Sequence, residues 1–129
     1  MKFLVLLISM LISSQLFAAT QVELGKYLAV PKDFPTVLAT LELFADNHAT
    51  VYIDADGIII NCTGVFNQVE NQLAANANCD HPDAPEINVI IDVTNVTPDE
   101  LRSEAGVEVP VKFDLLGEDS VPFILRKLD

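Results

Sequence analysis

Residues 61–79 read NCTGVFNQVENQLAANANC, and their alternation decides the fold. With Glu70-Asn71 as a two-residue turn, the connection that best matches strand twist, Cys62 falls opposite Cys79, Gly64 opposite Ala77 and Phe66 opposite Ala75. One face of the hairpin then carries Cys62, Gly64, Phe66, Leu73, Ala75, Ala77 and Cys79. The other carries Asn61, Thr63, Asn67, Gln72, Asn76 and Asn78. A slip of one residue would mix the faces, so the pattern selects its own register. Counting outward from the turn makes Cys62–Cys79 a non-hydrogen-bonded pair, a geometry with Cα atoms about 4.5 Å apart and at the short end of disulfide reach. With the cysteines 17 positions apart, a bridge between them stabilises by roughly 3 kcal/mol in the chain-entropy account. An inward cross-strand pair of this kind reads as a structural staple; catalytic dithiols are usually spaced as Cys-x-x-Cys.

The flanking segments extend the same sheet. Asp56-Gly57 is a type I′ hairpin signal. It pairs Ile53 with Ile60 and Val51 with Cys62, placing Val51, Ile53, Ala55, Ile58 and Ile60 on the face of Cys62, with Tyr52, Asp54, Ile59 and Asn61 pointing away. Upstream, Val37, Ala39, Leu41 and Leu43 alternate with Leu38, Thr40, Glu42 and Phe44, and Asp46-Asn47-His48 turns into the next strand. A first strand is expected over Val22–Val30. Downstream, Asp80–Pro85 reads as a loop, followed by a strand with Ile87, Val89, Ile91 and Val93 inward. Thr97-Pro98-Asp99-Glu100 is a capping box with proline at the first helical position. It opens a short helix over Pro98–Ala105 that Gly106 ends. Two strands close the chain, Val107–Leu115 and Val121–Lys127; a turn over Gly117–Ser120 pairs Phe113 with Phe123 and Val111 with Leu125. About eight strands joined by tight turns predict an all-β antiparallel up-and-down meander closed into a small barrel, with the helix near residues 98–105 covering one end. A two-sheet sandwich is the rival architecture.

The chain opens with Met1-Lys2, an apolar run from Phe3 to Ile12, and then Ser13-Ser14-Gln15-Leu16-Phe17-Ala18-Ala19. This is the pattern of a secretory signal peptide, too short for a spanning helix. It is assigned to residues 1–18, with a single domain over 19–129. Losing Lys2 leaves six of the seven basic residues against 19 acidic ones, a formal charge of −13. Such a chain repels nucleic acid and anionic lipid. The expectation is a periplasmic or secreted protein, without a membrane span once the signal is gone, and monomeric or weakly associating.

Gly25-Lys26-Tyr27 in the first mature strand resembles the Gly-x-Trp start of lipocalin-like (calycin) barrels, with Tyr27 standing where those have tryptophan. The eight-strand meander is similar to that group over the whole mature chain. The resemblance implies an aromatic residue packed across the barrel bottom. Bacterial members of similar size with a single disulfide include periplasmic inhibitors of secreted metalloproteases, so it also implies a protein-binding alternative. The inward face itself mixes Ala39, Ala55, Gly64, Ala75 and Ala77 with larger residues, and small residues either leave a cavity or let a narrow barrel close. Ile53, Ile60, Phe66, Val89, Val111 and Phe113 are the candidate lining for a small apolar ligand, with Lys26 and Lys127 the inward charges near the ends.

Catalysis has no support in the sequence. Ser103 and Ser120 have no histidine at a telling spacing, and His48 falls in a turn. Asp54-Ala55-Asp56-Gly57 starts like a calcium loop, but Ile58-Ile59-Ile60 supplies no further oxygen ligands. His81 with Asp80 and Asp83 reads as a proline-marked surface loop. No enzyme, cofactor or metal is expected, and the partner is either a small apolar ligand or a secreted or periplasmic protein.

Overall fold

Period-two alternation produces eight strands in the computed structural model, which describes residues 21–128. The predicted signal segment, 1–18, lies outside the described residues. The strands are β1 (Gly25–Pro31), β2 (Val37–Leu43), β3 (His48–Ala55), β4 (Ile58–Val69), β5 (Gln72–His81), β6 (Ala84–Asp92), β7 (Val107–Phe113) and β8 (Val121–Lys127). Each pairs antiparallel with its chain neighbours, and β8 returns to β1 to close a barrel. A sandwich is excluded. The topology is compatible with a lipocalin-like fold.

The two central hairpins hold the expected register, with Cys62 opposite Cys79, Phe66 opposite Ala75, Ile53 opposite Ile60 and Val51 opposite Cys62. Asp56 and Gly57 both take positive φ, 55° and 88°, as a type I′ turn requires. The Cys62–Cys79 disulfide is formed across a Cα separation of 4.0 Å. Inward rows run around the wall in register. One of them, Leu43–Ala49–Gly64–Ala77–Ile87, is narrow at its centre. A Cβ at Gly64 would come 1.9 Å from the Asn76 carbonyl oxygen, so only glycine lets these strands approach. The core holds no buried polar or charged residue among those described.

Several expectations are corrected. The first strand begins at Gly25 and not at Val22. The segment before it crosses the barrel end instead, with Val22 buried and its N–H donating to Gln68 Oε1 at 2.9 Å. Asp80–Pro85 is not a loop. Strands β5 and β6 run through it to a two-residue turn at Pro82-Asp83. The pairs Asn78–Glu86 and His81–Ala84 leave Cys79 and Asp80 opposite the single residue Pro85. Such a bulge tolerates a residue without an N–H. Ile58 has the inward register but is 55% exposed, because it sits at the rim beyond the last packed layer. Lys26 points outward, beside Glu42 at 4.0 Å, since its neighbour Tyr27 takes the inward position.

The helix α1 (Pro98–Arg102) stops three residues short of Ala105, at Ser103. Gly106 is not its cap: at φ 69° it belongs to the following turn, donating to the Ser103 carbonyl. The capping box itself forms, with Glu100 N–H donating to Thr97 Oγ1 at 3.2 Å and Thr97 N–H donating to Glu100 Oε1 at 3.1 Å. The β7–β8 register also differs from expectation. Val109 pairs with Phe123 and Val111 with Val121, while Phe113 pairs with Val89 of β6. Strand β7 ends at Phe113 because Asp114–Leu116 coils into a 3₁₀ turn, so the connection starts well before Gly117. The displacement is four residues, an even number, so every side chain keeps its expected face.

Candidate functional site

The barrel interior is built where β6 and β7 meet the far wall of β1 and β2. Val89, Val111 and Phe113 come together there with Ala29, Ala39 and Phe123. The two alanines sit on neighbouring strands in direct register and supply little bulk. They leave a wholly apolar cavity of about 30 Å³. That volume admits a water-sized guest and falls an order of magnitude below the roughly 300–1,000 Å³ of ordinary ligand pockets.

Of the six predicted lining residues the structure therefore unites three. Ile53 and Ile60 are a buried, directly opposed pair toward the Asp56-Gly57 end and do not reach the cavity. Phe66 pairs with Ala75 and borders an open depression of about 280 Å³ on the β4–β6 wall, which Val89 also lines. Sequence reading placed Ala39 inward but did not connect it to Ala29 and Phe123. Alternation along a strand carries no signal for which residues meet across a barrel.

Strands β6 and β7 form the shortest ladder, paired only from Val89 to Ile91. The edge continues through side chains: the Asn88 backbone N–H and side-chain amide both donate to Asp114 Oδ2, at 3.0 and 3.1 Å. The opposite barrel end is closed. Tyr27 is buried there and its hydroxyl donates to the Glu23 carbonyl at 2.6 Å. Val93, Val96 and Leu101 are buried beside Val22 at this end, and Arg102 of α1 pairs with Glu23 at 2.6 Å.

The outer surface is where charge resides. Asn61 donates from its backbone to Asp80 Oδ1 at 2.9 Å and from its amide to Oδ2 at 3.3 Å; these bonds hold the Asp80 carboxyl below its ordinary range. The Thr94 hydroxyl and N–H do the same for Asp92. Lys32 is raised by its hydrogen bond to Glu108 at 2.7 Å. The calcium-like Asp54–Gly57 segment is a turn in which Asp54 Oδ1 accepts from the Gly57 N–H at 3.0 Å. His81 Nδ1 accepts from the Asp83 N–H at 3.1 Å. Among the described residues no group of three or more histidine, cysteine or acidic side chains is placed to hold a metal ion, and no helix is long and apolar enough to cross a membrane.

Comparison with protein-family models, with curated proteins and with solved structures finds no match in any of the three.

Proposed function

We propose that this chain is an exported, non-enzymatic binding module whose partner is a protein met at the outer wall of the barrel. One observation carries the reading: the apolar cavity inside the barrel holds only about 30 Å³, so recognition of anything larger falls to the surface. The disulfide and the signal-like N-terminus support export. Tyr27 buried at the closed end supports the lipocalin-like relationship, and with it the inhibitor-type alternative. Residues 21–24 lie along the barrel end, held by Gln68 and Arg102. That favours the wall over the mature N-terminus as the binding element.

A second reading, a small apolar ligand inside, draws on the cavity lining. Val89 and Phe113 pair directly at the short β6–β7 ladder, the place where the wall would part to admit a guest. One experiment separates the two. The chain from residue 19 onward is purified from its host and analysed by native mass spectrometry, beside an Ala39→Leu variant that fills the cavity. The protein-binding reading expects no co-purifying small molecule, and capture of one protein from periplasm or medium with equal affinity for both forms. A bound small molecule that Ala39→Leu displaces overturns it.

A further inference from the structure

The chain contains no lysine or arginine from Asp33 to Leu101, although twelve of its 19 acidic residues fall there. The fold converts this gap into geography. Strands β2 to β6, five adjacent staves, carry no permanent positive charge, and among the described residues the cations lie on β1, the β1–β2 turn (Lys32), α1, β7 and β8. On the outer face of β2–β4 the same wall exposes large apolar side chains. Leu38, Asp54 and Ile59 stand in one cross-strand row, and Thr40, Tyr52 and Asn61 in the next. Leu38, Tyr52 and Ile59 are 41%, 43% and 40% exposed. Asp54 stands between Leu38 and Ile59, Asp80 is hydrogen-bonded to Asn61, and Asp56 crowns the adjoining turn. Apolar side chains thus sit within carboxylates, in register, with no cation on any of the three strands.

We infer that the outer face of β2–β4 docks a basic protein segment with an apolar face. Apolar contact supplies affinity and the uniformly negative wall supplies steering and selectivity. A second copy of the chain is disfavoured, because it would bring one acidic wall against another, and an anionic membrane is repelled for the same reason. The inference rests on the proposed protein-binding role and assigns it a surface and a partner chemistry.

The test uses residues 19–129 and three labelled synthetic peptides of equal length. One is an amphipathic leucine–lysine peptide, one its leucine–glutamate counterpart, and one oligolysine. Fluorescence anisotropy at low and high salt should show the leucine–lysine peptide binding about tenfold or more tighter than either other peptide and weakening as salt screens the wall. Tyr52→Ser with Ile59→Ser, and separately Asp54→Asn, should each weaken it about tenfold. Asn at 54 can still accept from Gly57, and Leu115→Ser, off the wall, should change nothing. Equal binding of oligolysine or of the leucine–glutamate peptide overturns the inference, as does indifference to the wall variants in proteins with unchanged circular dichroism. Concentration-dependent dimerisation, or vesicle binding, abolished by Ile59→Ser would assign the face to a second copy or to lipid and overturn it too. If a protein partner is captured but the wall variants bind it normally, the inference fails while the protein-binding role stands.

Discussion

Gly64 is the tightest point of the wall. Its missing side chain lets β4 and β5 approach until the Asn76 carbonyl occupies the place of a Cβ. Because the obstructing atom is backbone and not a side-chain end, no rotamer change relieves it. Gly64→Ala should therefore cost about 3 kcal/mol, the upper range of overpacking, read as a lower urea midpoint with the slope unchanged. An unchanged midpoint would mean that the strands part more easily than the register implies. The sequence showed that Gly64 faces inward opposite Ala77, but not that it is obligatory. Alternation reports which way a residue points, whereas closeness depends on how strongly three strands curve together. The same limit hid the cavity. Val89, Val111 and Phe113 were assigned inward correctly, yet the space between them is set by Ala29 and Ala39 on strands far away in sequence.

Among the elements, the β3–β4 and β4–β5 hairpins were legible to the residue. Asp56-Gly57 and Glu70-Asn71 fix the pairing by chemistry and length together. Connections with structure of their own were not. The 3₁₀ turn over Asp114–Leu116 moved the β7–β8 pairing by four residues, and the bulge opposite Pro85 turned an expected loop into paired strand. The disulfide joins the two longest strands, β4 and β5, near the bulge. Reduction, or the paired change Cys62→Ser with Cys79→Ser, should lower stability by roughly 3 kcal/mol while leaving the far-ultraviolet spectrum intact, because the register is set independently by turn and pattern. Loss of the β spectrum on reduction would show the staple to be a condition of folding and not an addition to it.

For the whole molecule, charge sets the response to solvent. A formal charge of −12 over the full chain opposes compaction, so at pH 7 the melting temperature should rise with added salt. Near the sequence isoelectric point of about 4.2 that salt effect should vanish. Asp80 and Asp92 act in the other direction. Their carboxyls are lowered in the folded state, so their stabilisation is present above the ordinary carboxylate value, about 3.9, and fades as pH falls through their lower folded values. Melts at about pH 3, 4, 5 and 7 with and without salt should show the salt benefit smallest near the isoelectric point, at about pH 4, and a decline in stability at the lowest pH. A stability that climbs steadily toward pH 3 would deny the two aspartates any role. The closure of β8 onto β1 carries one more consequence. Leu128 donates its N–H to the Lys26 carbonyl at 2.8 Å, so the last described residue lies against the start of β1, while residues 103–105 are exposed between α1 and β7. A circular permutant that joins the ends through a short glycine-rich link and begins at residue 104 runs from β7 round to α1, yet keeps every ladder. In a closed ring of staves no strand is first, and the order of synthesis is a property of the gene, not of the barrel.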